Sequence, residues 1–124
     1  MKTFGDSCPA RASLAGNPTD MWNGCVVSVP VCSLNATSVI SESDSFSISL
    51  GGENNKRKVT DHIGFLNSFG FGTVDQLVSA AILQFFNSLK ILDIGNFSVD
   101  VSTNIPRQVG MSGSSAIVIS TIRS

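Results

Sequence analysis

Serines and glycines crowd together in the stretch NIPRQVGMSGSSAIVIS, residues 104–120 of a 124-residue chain, and the sequence then turns abruptly apolar. Glycines at 110 and 113 let a backbone approach a ligand closely. The hydroxyls of Ser112, Ser114 and Ser115 can donate to a phosphate oxygen or sit on a magnesium ion. If the apolar run after them is a helix, these serines occupy its N-terminus. There the first backbone N–H groups lack partners and the positive end of the dipole points outward, which makes an anion site. Three familiar phosphate or nucleophile loops do not fit. A Walker A loop needs a lysine before its hydroxyl residue, and none is near; a nucleophile elbow needs GxSxG, whereas GMSGS misplaces the glycine; the dinucleotide fingerprint GxGxxG is absent. A plain surface loop, with serines serving solubility, is the alternative. The run AIVISTI is β-branched and by propensity reads as a strand. The helix expectation rests on the serines before it and on burial, which overrides propensity.

A second group of candidates lies near the N-terminus in PARASLAGNPTDMWNG, residues 9–24. Arg11 falls on the polar side of an alternating stretch, opposite Ala10, Ala12 and Leu14. Asn17, Asp20 and Trp22 sit in a segment dense in turn-formers. Asp20 can accept hydrogen bonds from hydroxyls, and Trp22 can stack on a sugar face. Read blandly, Arg11 is an exposed strand residue, Asp20 a turn residue and Trp22 a packing residue.

These residues need a frame. ARASLAG, CVVSVPVCSL, ATSVISES and FSISLGG read as strands, with Pro30 pushing the second toward an edge or a bulge. ENNKRKVTDH is the most polar stretch and reads as a loop, its KRK cluster solvated. TVDQ at residues 73–76 has the form of a capping box. Behind it Val74, Leu77, Val78, Ala81, Ile82, Phe85, Phe86 and Leu89 recur at helical spacing as one apolar stripe, with Gly70 and Gly72 marking the bend into the helix. NFSVDVST is a last strand, running straight into the glycine–serine loop. Strands, one amphipathic helix, a strand and a closing apolar segment make an α+β pattern in one domain.

Composition narrows the function classes. The net charge is −1 and basic residues are not clustered on any segment beyond KRK, which disfavours nucleic acid as a partner. Three cysteines without CxxC spacing indicate neither a disulfide framework nor a zinc site. No stretch has the length of a membrane span or of a signal peptide's apolar region, so a cytoplasmic setting is expected and the two N-x-[ST] sequons read as chance matches. The composition assigns no oligomeric state.

Taken as a pair, the two motif regions resemble a known superfamily. PRQVGMSGSSA, residues 106–116, is similar to the second motif of the GHMP kinases, roughly P-x-x-x-G-L-x-S-S-A. PARASLAGNPTDMWNG resembles their first, an arginine strand running into a Gly-x-x-Thr-Asp turn. Both occur in the family's order with an amphipathic helix between them. AGNPTD and NIPRQVGMSGSSAIV are closest in form to the plant-type glucuronokinase branch. The resemblance spans most of the chain and is weakest over residues 33–67.

The resemblance implies an N-terminal domain of the kind found as the second domain of ribosomal protein S5, with a left-handed βαβ unit that includes the helix from Thr73. It implies transfer of the γ-phosphoryl of ATP to a sugar hydroxyl, with Mg2+ present; for the glucuronokinase branch the acceptor is the anomeric hydroxyl of glucuronate and the product its 1-phosphate. By position, Pro106, Gly110, Met111, Ser112, Gly113, Ser114, Ser115 and Ala116 would surround the ATP phosphates, with Ser114 and Ser115 nearest the magnesium and Ser115 a ligand to it. Asp20, Asn17 and Trp22 would bind the sugar, and Arg11 matches the arginine beside the transferred phosphoryl. Asn17 and Pro18 stand where galactokinases have Glu-His, so a galactose-type contact set is not implied. The family's third glycine motif and its usual catalytic aspartate, which lies downstream of the second motif, are not in this sequence. Residues 1–124 are therefore expected to be a truncated N-terminal domain, inactive alone. The alternative is a stand-alone S5-like module that binds an anion or a partner and catalyses nothing.

Overall fold

A computed structural model describes residues 2–51, 57–58, 73–91 and 95–124. Among the described residues five strands form one mixed sheet: β1 (Thr3–Ala15), β2 (Val27–Glu42), β3 (Ser47–Leu50), β4 (Arg57–Lys58) and β5 (Phe97–Thr103). Two helices among the described residues, α1 (Val74–Ser88) and α2 (Gly113–Arg123), accompany it. The strand order is β1-β2-β5-β3-β4. β1 with β2, β2 with β5 and β3 with β4 are antiparallel, whereas β3 and β5 run parallel. Parallel neighbours cannot be joined by a tight turn, and the long connection from β3 to β5 carries α1. The α+β expectation holds.

Several local expectations change. The two strands expected over CVVSVPVCSL and ATSVISES are one strand, β2, whose pairing with β1 jumps from Pro9↔Asn35 to Ala10↔Val31. Cys32, Ser33 and Leu34 are thus extra residues on the β2 side, a wide irregularity of the bulge type. β1 also begins earlier than the alternation at Ala10 suggests, at Thr3. Pro30 sits as expected for its missing N–H: β5 pairs β2 only from Ala36 onward, so at Pro30 one side of β2 is an edge. Within the expected ENNKRKVTDH loop, Arg57 and Lys58 pair with Ile48 and Ser47; the rest of it, with Gly70 and Gly72, lies outside the described residues.

The helix over residues 74–88 starts as its sequence predicts. Thr73 is extended at the N-cap, and its N–H donates to Gln76 Oε1 at 3.4 Å, the reciprocal arm of a capping box. Val78 and Ile82 from its stripe are buried, while Phe85 and Leu89 toward its end are exposed.

The second helix settles the competition over AIVISTI. Burial wins over β propensity: Ala116 and Ile117 join the core, and α2 packs on β1, β2, β5 and α1. The polar members of the run are absorbed within the helix, since the hydroxyls of Ser120 and Thr121 donate to Ile117 O at 3.0 and 2.9 Å. Arg123, in the last turn where a cation suits the dipole, pairs with Asp6 of β1 at 2.8 Å. Ile48, Val78 and Val99 are fully buried between sheet and helices, and Phe97 meets Phe46 edge-on at 4.9 Å.

Candidate functional site

The glycine–serine loop is tied to β1 beside the β1–β2 irregularity. Arg11 is opposite Pro30, which has no N–H to offer. The Arg11 N–H donates to Met111 O of the loop at 3.1 Å. Loop and strand are therefore joined at the residue where the alternation of β1 sets a cation.

Inside the loop the backbone bends through left-handed conformations at Gln108 (φ 59°), Gly110 (φ 72°) and Ser112 (φ 56°). Ser112 caps α2, and the Ala116 N–H donates to Ser112 O at 3.0 Å as the helical ladder begins. The amides of Gly113, Ser114 and Ser115 precede that bond and stand at the positive end of the helix, as an N-terminus requires. Met111 is half-buried and packs against the core, which anchors the loop from beneath.

In front of this helix end lies a cleft of about 390 Å³. Arg11, Ser112, Ser115 and Ala116 line one part of it; Val29, Pro30 and Ile119 give it an apolar wall. Among the described residues lining it, Arg11 is the one with a charged side chain, and no carboxylate is present. A helix N-terminus, two hydroxyls and a guanidinium without an opposing carboxylate favour an anion in water-accessible surroundings.

The remaining sequence candidates divide. Pro106, Gly110 and Ser114 are exposed parts of the loop or of the first turn of α2 and do not line the cleft; Gly113 is half-buried against Ile105. Asn17, Asp20 and Trp22 are exposed on the connection between β1 and β2, and none of them lines the cleft. That connection closes on a short 3-10 turn, Thr19–Trp22, after a cis Asn17–Pro18 bond. Thr19 is its hub. The Thr19 N–H and hydroxyl both meet Gly16 O, the hydroxyl also lies 3.3 Å from Cys25 O, and Gly24 N–H donates to Thr19 O at 2.8 Å. Asp20 is thus held by a rigid turn while its own side chain faces solvent.

Sequence reasoning passed over Thr19, which the Gly-x-x-Thr spacing could have marked, and the wall residues Cys8, Ser28, Val29 and Ile119, which carry no signal before the strands are paired. It also passed over Asn104, whose contacts depend on the β2 irregularity.

The hydroxyls of Ser112 and Ser115 are oxygen donors of the kind magnesium accepts, and no group of three His, Cys, Asp or Glu able to hold a metal occurs among the described residues. The donor set therefore suits a magnesium ion that arrives on a polyphosphate and keeps its waters, not a dedicated protein cage. Among the described residues no helix is long and apolar enough to cross a membrane.

Comparison with known proteins agrees with the motifs. Residues 76–124 match the family model of the GHMP kinases N terminal domain. The chain is 34% identical over 116 residues to glucuronokinase 1 of Arabidopsis thaliana, a match that covers 88% of this chain and 32% of that protein. The chain thus spans about a third of the length of that curated relative. Its fold is similar to the crystal structure of mevalonate kinase from Methanococcus jannaschii, with a TM-score of 0.79, 22% identity, and coverage of 98% of this chain and 38% of that one. It is similar also to Lactococcus lactis galactokinase complexed with galactose, with a TM-score of 0.75, 17% identity, and coverage of 97% and 31%. The resemblance to the N-terminal part of the GHMP kinases, and to glucuronokinase within them, is shown.

Proposed function

We propose that this chain is the nucleotide-phosphate and sugar-binding part of an ATP-dependent sugar kinase, with glucuronate as acceptor and glucuronate 1-phosphate and ADP as products. The observation that carries the reading is the start of α2. A glycine–serine loop opens a helix, and the first turn of that helix lines a cleft whose charged member, among the described residues, is Arg11. The amides of Gly110, Met111, Ser112, Gly113, Ser114, Ser115 and Ala116 surround the β- and γ-phosphates, with Pro106 turning the chain into the loop. Phosphoryl transfer depends mostly on position and charge neutralisation, which suits backbone donors and a guanidinium. Ser115 would offer its hydroxyl to a magnesium ion bound with the nucleotide, which would supply positive charge to the phosphates.

In this reaction the anomeric hydroxyl oxygen bonds to the γ-phosphorus, the bond to the β–γ bridging oxygen breaks, and ADP leaves. Arg11 faces the charge that spreads over the transferred group. Asp20, with Asn17 and Trp22, holds the sugar from the β1–β2 turn. The hydroxyl proton must pass to a base within hydrogen-bond reach. The described cleft lining holds no carboxylate for that task, and this favours a second reading, a module that binds the nucleotide without turning it over.

A calorimetric titration with Mg·AMPPNP and a coupled ADP-release assay with glucuronate, galactose and mevalonate separate the readings. The kinase reading expects nucleotide binding and release of ADP with glucuronate in preference to the other two. Binding without release supports the module. Absence of nucleotide binding refutes both. In a protein that turns glucuronate over, Asp20→Ala raises the glucuronate KM about ten- to a hundredfold, the worth of one charge-assisted hydrogen bond. An unchanged KM removes Asp20 from the site.

A further inference from the structure

The β1–β2 irregularity leaves a problem that the chain solves from a distance. Where Cys32, Ser33 and Leu34 depart from the β1 ladder, backbone groups of β2 lose their cross-strand partners. Beyond Thr103 the β5 ladder also stops. Three of the backbone groups involved are taken up by Asn104. Its Oδ1 accepts the Asn35 N–H at 2.7 Å, its Nδ2 donates to Ser33 O at 3.1 Å, and its own N–H donates to Asn35 O at 3.2 Å. A carboxamide is the group that fits, since it supplies an acceptor and a donor side by side on one short stem. Thr103 completes the arrangement: its hydroxyl donates to Asn35 O at 3.0 Å and accepts the Ile105 N–H at 3.1 Å.

The glycine–serine loop begins at the next residues. One flank is bound to β2 through Asn104, and the other to β1 through the Arg11 N–H and Met111 O. Ile105, between the tethers, is buried and lies under Gly113, where a Cβ built on the glycine would meet Ile105 Cγ2 at 3.4 Å. The first tether therefore bears on the residue that supports the start of α2.

We propose that Asn104 is a positioning residue of the phosphate loop: by spanning the irregular backbone of β2 it fixes where the loop leaves the sheet, and so holds the α2 amides in place before an anion arrives. The proposal rests on the phosphate-binding reading of the loop for its effect on affinity, but not for its effect on loop order.

The test has two readouts on the whole chain. Amide hydrogen exchange of the ligand-free protein is compared for wild type, Asn104→Ala and Thr103→Val, with Asp6→Asn as a control that loosens α2 at its other end. In Asn104→Ala, exchange accelerates at Asn35 and over residues 105–115 and stays unchanged at residues 37–40 of β2. Thr103→Val moves the same residues to a smaller extent, and Asp6→Asn does not move them. Titration with Mg·AMPPNP then gives a Kd about five- to thirtyfold higher for Asn104→Ala, the factor for re-ordering roughly one backbone residue on binding. Wild-type exchange across residues 105–115 in Asn104→Ala overturns the proposal, as does an even acceleration over the whole sheet. If wild-type protein does not bind Mg·AMPPNP, the phosphate reading fails and the exchange pattern alone decides whether Asn104 positions the loop.

Discussion

Two glycines with nearly the same backbone and different surroundings give a sharp test of how the β1–β2 connection is built. Gly16 has φ 87° and Gly110 has φ 72°, both in the region that disfavours a side chain. Alanine at either position incurs about 1–2 kcal/mol for the left-handed conformation. It also gains about 0.4–1 kcal/mol by restricting the unfolded chain. These contributions are common to the pair and cancel in the difference. What remains is space. A Cβ on Gly110 meets nothing within 4 Å among the described residues, whereas a Cβ on Gly16 would stand 2.1 Å from Cys25 O and 3.1 Å from Val26 Cα. Backbone cannot swing away as a side chain can, so the connection that carries Thr19 and Asp20 must shift or open. Forced overpacking of this kind costs about 1–3 kcal/mol. Gly110→Ala is therefore expected to lose no more than about 1.6 kcal/mol, the conformational cost less the unfolded-state gain. Gly16→Ala loses about 1–3 kcal/mol beyond that. Urea unfolding followed by circular dichroism measures both, provided the m-value stays constant between variants. Equal losses would mean that the Gly16–Cys25 approach does not exist in solution, and the account of the turn would be wrong.

Two further substitutions probe the frame. Ile48→Ala, at a fully buried position on β3 beside Val99 of β5, should lower the unfolding free energy by about 2–5 kcal/mol, and a loss under 1 kcal/mol would remove β3 from the core. Asp6→Asn breaks the pair with Arg123, whose side chains are 59% (Arg123) and 28% (Asp6) exposed, so the loss should stay within about 1 kcal/mol and shrink in high salt; a larger, salt-independent loss would show that the pair is more than a surface contact.

What the sequence determines here is whatever rests on neighbours along the chain. Thr73 and Gln76 are three residues apart, so the capping box is legible before any fold is known, and the spacing from Val74 to Leu89 announces the helix behind it. The glycine–serine loop can be read as an anion site for the same reason: its glycines, its serines and the run that becomes α2 are contiguous. Tertiary structure decides what rests on distant partners. AIVISTI is locally ambiguous, and it becomes a helix because Ala116 and Ile117 find a sheet to cover. CVVSVPVCSL and ATSVISES look like two strands because the pattern breaks between them; they form one that pairs with β1 on both sides of the break, and beside it Asn104, 69 residues beyond Asn35, accepts the Asn35 N–H. The division of the motif residues follows from that pairing. Arg11 meets the loop through its N–H, which donates to Met111 O, whereas Asp20 is carried to the far end of the β1–β2 hairpin. Local hydrogen bonds within three or four residues are written in residue type and spacing; the register of two long strands is fixed only when both are present to compete for the same backbone groups.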